Sequence, residues 1–254
     1  MSKSLVLKPK NNFTRYCFKI SYNGSKFFGW AIQPNLKTVQ GDLQSILFNL
    51  YNKKIVVFGS GRTDAGVHAI EQIFHFDAPN YISITGIISK LNNNNKGLWN
   101  VFGGKKISNS FHARFSSKNK TYVYKIKITK KINPLIYDFF WQISDNLSLK
   151  KLRQIANLLK GEHNFLSFTT ESKENTKRTI NYIKISKCKN EILIKINGDG
   201  FLRNMVRMIV GCMVNFASNK ISLKDCQDLL ENPAKGKAIL KAPASGLYLL
   251  KVKY

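Results

Sequence analysis

RTINYIKISK (178–187) and EILIKING (191–198) read as two β-strands joined by a turn at Lys189, Asn190 and Glu191. No helix separates them. Strands joined directly, alongside strands joined through helices, point to an α+β chain rather than a doubly wound parallel sheet.

The surrounding sequence extends this pattern. Upstream, KTYVYKIKIT (120–129) alternates, with Tyr122, Tyr124, Ile126 and Ile128 on one face. SLKKLRQIANLLKG (148–161) is a helix capped by Ser148, striped by Leu149, Leu152, Ile155, Leu158 and Leu159, and ended by Gly161. Downstream, FLRNMVRMIVGCMVNF (201–216) is a strongly apolar helix, SLKDCQDLLEN (222–232) a short one, and GLYLLKVKY (246–254) a final strand. The first half echoes this loosely. RYCFKISYNG (15–24) is a strand closed by an Asn-Gly turn. Thr38 caps a helix with Val39, Leu43, Ile46, Leu47 and Leu50 on one face. KIVVFGS (54–60) and QIFHFDA (72–78) are strands, and ISITGIISKLN (82–92) is a helix despite Gly86. The lysine- and proline-containing stretch 130–147 reads as a surface excursion.

A chain of 254 residues can bury a sizeable core. No apolar run reaches the ~20 residues that cross a bilayer. The start, MSKSLVLKPKNN (1–12), lacks the apolar core of a secretory signal and is too short and arginine-poor for a transit peptide. Cys17, Cys188, Cys212 and Cys226 have no CxxC spacing, and His68, His75, His112 and His163 form no HxxxH group, so a zinc site is not expected. Cys17 and Cys212 sit in apolar runs and read as reduced core residues, as in a cytoplasmic protein. Lys and Arg number 41 against 14 Asp and Glu, a net charge of +27. Such an excess attracts a polyanion, either nucleic acid or an anionic membrane. A lysine-rich coding bias, visible in LNNNNKG (91–97), is the plainer source of part of it.

One carboxylate stands apart. FGSGRTDAGVHA (58–69) carries Asp64 on a glycine-rich bend. Gly61 and Gly66 have phosphate-loop spacing, but Val67 and His68 follow where Lys and Ser or Thr are needed. A plain turn accounts for the Asp and Gly but not for Arg62 two residues before Asp64. The third reading is a catalytic carboxylate on a backbone that lets substrate approach closely.

GRTDAGVHA closely resembles the signature of the tRNA pseudouridine synthase A family. SYNGSKFFGW (21–30), FHARFS (111–116) followed by Tyr122, NFLSF (164–168), FLRNMVRMIVG (201–211) and GLYL (246–249) are similar to further blocks of that family, in the same order. Asn23 stands where the family usually has Asp, and Ala31 where it often has Gln.

The resemblance implies a pseudouridine synthase fold: two similar α+β halves, residues 1–112 and 113–254, sharing a mostly antiparallel central sheet with a cleft between them. It implies a cofactor-free, metal-free cytoplasmic isomerase, a homodimer with dimer contacts in the second half. The expected reaction converts uridine to pseudouridine at positions 38, 39 and 40 of the tRNA anticodon stem-loop. Asp64 starts it, by attacking C1′ or C6 or by removing the ribose 2′ proton. Arg207, a cation within an apolar helix, is its expected partner, with Arg203 one turn earlier on the same face. Tyr122 stacks on the uracil and helps move the C5 proton, Leu247 packs beneath the base, and Arg62 fills the space left by the flipped nucleotide or holds its phosphate. His68 reads as structural. An inactive RNA-binding protein or chaperone of the same fold, and a basic ribosome-associated protein, are the rival classes.

Overall fold

The computed structural model describes residues 12–93, 95–144, 146–171 and 174–254. The basic start read above lies outside them except for Asn12. The chain forms two compact units. One holds the chain up to Lys118 together with Leu250–Tyr254, and the other holds Asn119–Leu249.

The first unit runs β1 (Phe13–Tyr22), α1 (Val39–Tyr51), β2 (Phe58–Gly59), β3 (His68–Pro79), α2 (Ile84–Asn93) and β4 (Trp99–Lys106). β1 is the middle strand, antiparallel to β3 on one side and to β4 on the other. The β1–β3 register sets Phe18 opposite Phe74 and Tyr16 opposite Phe76. These four rings are fully buried, with the Phe18 centroid 5.6 Å from Phe74 and 5.5 Å from Phe76. α1 begins where expected, with the Thr38 hydroxyl accepting the Gly41 N–H at 3.2 Å. It buries Val39, Leu43, Leu47 and Tyr51, whereas Ile46 and Leu50 are only half-buried.

Two expectations fail here for physical reasons. KIVVFGS is not a strand throughout, since only Phe58–Gly59 pair, with β3. Ile55 and Val57 are buried, but α1 satisfies the backbone of Val57: Gln44 Oε1 accepts its N–H at 3.0 Å and Gln40 Nε2 donates to its C=O at 2.7 Å. Side-chain amides thus replace a neighbouring strand. Conversely, β4 was not expected, because Gly103 and Gly104 depress strand propensity. Gly104 is where a side chain would collide with the Phe18 ring and Ile84.

The second unit runs β5 (Asn119–Ile128), β6 (Trp141–Ile143), α3 (Leu149–Leu159), β7 (Gly161–Asn164), β8 (Lys177–Cys188), β9 (Glu191–Gly198), α4 (Met205–Ala217) and α5 (Leu223–Glu231). β10 (Leu247–Lys253) gives Leu247–Leu249 to this unit and its remainder to the first. The strand order is β5-β9-β8-β7 and all three neighbours are antiparallel, while β6 lies parallel to β5. The β8–β9 hairpin is the pair read from 178–198, turning through Lys189 at φ 52°. The described registers of both units are antiparallel apart from β5–β6, so the protein is α+β with mostly antiparallel pairing.

The cap of α3 forms as read, and α5 is capped as well. Ser148 Oγ accepts the Lys151 N–H, and Ser222 with Asp225 makes a capping box. Gly161 does not end α3. Lys160 is the capping residue, and Gly161 opens β7 at φ +108°. α4 is shorter at its start than its apolar sequence implies. Asn204 adopts φ 63° ahead of it, so Phe201–Asn204 stay outside the helix, and Arg203 is an exposed residue before α4 rather than one turn earlier on its face. Nearly every α4 side chain is buried, with α3 and α5 packed against it. Residues 130–140 are the expected excursion, with Leu135 85% exposed, but Trp141–Ile143 return to pair with β5.

Candidate active site

Residues 60–67 join β2 to β3 in the first unit, and they are fastened at three levels. At the base, the Ser60 N–H donates to Ile73 O at 2.8 Å. The fully buried Gln72 holds the Ser60 hydroxyl and donates from Nε2 to Gly61 O at 2.9 Å. In the middle, Thr63 is buried. Its hydroxyl meets the Tyr22 hydroxyl at 2.8 Å and its carbonyl accepts the Trp30 N–H at 3.1 Å. At the far end, the Val67 N–H donates to Asp64 O at 3.1 Å, closing a turn over Ala65 and Gly66. The Gly66 N–H donates to Phe27 O at 3.3 Å. His68 Nδ1 accepts the Gly24 N–H at 3.0 Å in a buried position, so this ring nitrogen is used as a structural acceptor.

SYNGSKFFGW is therefore the brace of the GRTDAGVHA loop. Gly29 sits at φ +95°, and a Cβ there would lie 2.7 Å from Thr63 O and 3.2 Å from the carbonyl carbon of Asp64. Only glycine permits both that backbone angle and that approach. Asn23, where the resemblance expects Asp, caps the short turn 24–26 by accepting from Ser25 N and Oγ at 3.1 and 2.9 Å. That work needs one acceptor oxygen and no charge, so the amide serves. Nothing in the structure explains Ala31. With Thr63 buried between them, Arg62 is exposed and Asp64 half-buried. The loop thus offers a guanidinium and a carboxylate two residues apart on a backbone with little freedom to move.

The other three expected residues lie in the second unit, on three different elements. Tyr122 on β5 is 8% exposed, and its ring meets the edge of Phe201 with centroids 5.2 Å apart and planes at 83°. Arg207 is half-buried in the first turn of α4, and its Nε donates to Ala242 O at 2.7 Å. The Ala242 N–H in turn donates to Arg207 O at 3.1 Å. Leu247, buried, starts β10. The segment 242–247 ties these elements together. The Tyr124 hydroxyl donates to Pro243 O at 2.7 Å, and Gly246 lies flat against the Tyr124 ring, where a Cβ would come within 2.6 Å of it. Burial pushes the Tyr124 hydroxyl well above the ordinary tyrosine range, so Tyr124 is a neutral core residue that locates the strand carrying its neighbour Tyr122.

The residues missed from sequence are these supports: Tyr22, Thr63, Gln72, Phe201 and the Ala242–Pro243 backbone. The first four lie within or beside recognised motifs. The Ala242 and Pro243 carbonyls carry no residue signal at all.

Among the described residues, no group of three or more His, Cys, Asp or Glu is placed to hold a metal ion, and no helix is long and apolar enough to cross a membrane. Cys17, Cys212 and Cys226 are buried thiols, and Cys188 is exposed.

Comparison with known proteins bears on the class. A family described as tRNA pseudouridine synthase matches residues 155–254. Over 235 residues the chain is 46% identical to the tRNA pseudouridine synthase A of Mycoplasmoides gallisepticum, covering 92% of this chain and 89% of that one. It is 45% identical over 241 residues to the proteins of the same name from Mycoplasma genitalium and Malacoplasma penetrans, with 94% of this chain covered and 98% and 99% of theirs. The chain is an enzyme of the pseudouridine synthase class. It belongs to the tRNA pseudouridine synthase A family.

Proposed function

We propose that the enzyme isomerises uridine to pseudouridine at positions 38, 39 and 40 of the tRNA anticodon stem-loop, with Asp64 as the residue that starts the reaction. The N1–C1′ bond breaks, the uracil turns, C5 bonds to C1′, the C5 proton leaves and N1 gains one, so the product is an isomer of the substrate. Asp64 acts ionised, whether it attacks C1′ or C6 or takes the 2′ proton. Excluding water from a carboxylate raises its pKa, and a guanidinium opposes that rise. Arg207 has this role in the reading, since a guanidinium set within an apolar helix is stabilised by a carboxylate partner. The positive end of α4 adds to the local preference for an anion.

A stem uridine is reached only after flipping, at a cost of roughly a few kcal/mol. Arg62 takes up the vacated space or holds the phosphate. Tyr122 stacks on the extruded uracil and assists proton loss from C5, and Leu247 packs under the base. Lysines and arginines grip the RNA backbone by charge and shape, which tolerates a change of register between neighbouring positions. The enzyme works in the cytoplasm as a homodimer holding one tRNA.

The observation that supports this reading is the triple fastening of residues 60–67, which leaves the backbone that carries Asp64 little freedom to move. Tritium release from tRNA labelled at uridine C5 tests it. Wild type releases tritium, and Asp64→Asn releases none while still binding tRNA. Equal release from both proteins refutes Asp64 as the catalyst. Mapping pseudouridine in the product checks the positions.

A further inference from the structure

The motif FHARFS has no role in the reading above. In FHARFS (111–116), the His112 N–H donates to Ser116 Oγ at 2.9 Å and the Ser116 N–H to His112 O at 2.9 Å. His112 Nδ1 accepts the N–H groups of Arg114 and Phe115 at 3.1 and 3.3 Å. The Ala113 N–H donates to His75 Nδ1 at 3.2 Å, and Ala113 O accepts the Tyr254 hydroxyl at 2.7 Å. A turn pinned this thoroughly would be expected to bury its apolar side chain. Phe115 instead is 57% exposed.

Its ring is not isolated. Phe115 lies 4.4 Å from the His112 ring, and His112 lies 5.4 Å from Phe58, itself 37% exposed. Phe58 stacks at 5.0 Å on the buried His75. Burial, helped by Arg15, lowers the pKa of both histidines, so the strip is a neutral π surface. At its edge the exposed Arg114 holds its guanidinium carbon 5.9 Å from the Phe115 centroid, and among the described residues no carboxylate pairs with it. A rigid ring face with an unneutralised guanidinium beside it fits a group that is flat at one end and anionic at the other.

We propose that Phe58, His112 and Phe115 form a stacking platform for an unpaired nucleotide of the tRNA, with Arg114 meeting its phosphate. The platform shares no residue with those assigned to the reacting uridine, and it rests on the tRNA reading above. Every base has a π face, so the platform selects single-stranded geometry rather than sequence. A preorganised ring also loses little conformational entropy on binding.

Binding of a tRNA transcript to the full-length enzyme, measured across a salt series, tests this. Phe115→Ala is expected to weaken binding about 5- to 150-fold, the range for loss of one base–aromatic stack, at unchanged salt slope. Phe115→Trp retains affinity, and Phe115→Leu, apolar but unable to stack, does not. Arg114→Ala lowers the salt slope by about one phosphate contact. Wild-type affinity in Phe115→Ala, or equal rescue by Leu and Trp, overturns the platform. So does a change in self-association, read by sedimentation, with tRNA binding intact, because the strip then serves a protein contact. If wild type neither binds nor isomerises tRNA, the functional reading fails and the platform with it. If wild type does both and only the Phe115 variants behave as wild type, the platform alone is lost.

Discussion

Removing one oxygen atom from Tyr22 should loosen the Asp64 loop while Asp64 itself is left unmutated. The Tyr22 and Thr63 hydroxyls are 2.8 Å apart, and the two residues are 5% and 7% exposed. A hydrogen bond of this kind contributes about 0.5–1.5 kcal/mol net, and a buried hydroxyl left unpaired costs about 1–3 kcal/mol. Tyr22→Phe is therefore expected to lower stability by about 2 kcal/mol, and Thr63→Val by a similar amount. The double variant removes both hydroxyls of this contact together, so it should lose clearly less than the sum. The coupling should be about 1 kcal/mol or more, against the additivity error of about 0.3–0.5 kcal/mol for independent sites. Thr63 directly precedes Asp64, and a displacement of about 1 Å at a reacting group can cost on the order of 100-fold in rate. Single-turnover tritium release should accordingly fall at least about 10-fold in Tyr22→Phe, with tRNA affinity close to wild type. Urea unfolding of the four proteins supplies the cycle and tritium release the rate. Additive stabilities together with an unchanged rate would show that the loop is held in place without this contact, and the bracing account would fail.

Arg15 and Asp77 form a fork, Nε to Oδ1 at 2.7 Å and Nη2 to Oδ2 at 2.8 Å, while Arg15 Nη1 donates to the carbonyls of Asn109 and Phe111 at 2.7 Å each. Asp77→Asn should destabilise by about 3 kcal/mol, since it removes the charge that faces a buried guanidinium, and a urea midpoint unchanged at constant m-value would contradict this. His75 gives a pH dependence. Its pKa falls from 6.5 to about 3, through burial first and then His112 and Arg15. The unfolded chain therefore takes up a proton below pH 6.5 that the native chain refuses, and stability is lost as pH falls from 6.5 toward 3. The slope approaches about 1.4 kcal/mol per pH unit within that window. His75→Asn keeps an acceptor for the Ala113 N–H and should flatten the slope between pH 6.5 and the carboxylate range. An unaltered slope would assign the proton elsewhere.

Much of the secondary structure is legible because its causes are local. Thr38, Ser148 and Ser222 cap helices whose apolar spacing announces them, and β5, β8 and β9 declare themselves by alternation and a turn. β4 escapes because its two glycines hide a strand that exists to cover β1. The run 54–57 misleads because apolar residues pack equally well with or without a ladder, and Gln40 and Gln44 remove the need for one. The start of α4 is misplaced because Phe201 and Leu202 continue its apolar character, while the left-handed Asn204 that stops it shows only in the backbone.

Sequence alone identifies Asp64 as the unusual carboxylate, since side-chain identity and motif order are written there. It also places Arg62 two residues away and Tyr122 on a strand face. Tertiary structure alone decides that residues 21–30 hold the loop through Tyr22, Gly24, Phe27, Gly29 and Trp30, and that Ala242 and Pro243 anchor Arg207 and Tyr124. Most of those contacts run through backbone N–H and C=O groups. Every residue except proline carries both, so no choice of amino acid reveals which of them will meet until the chain has folded.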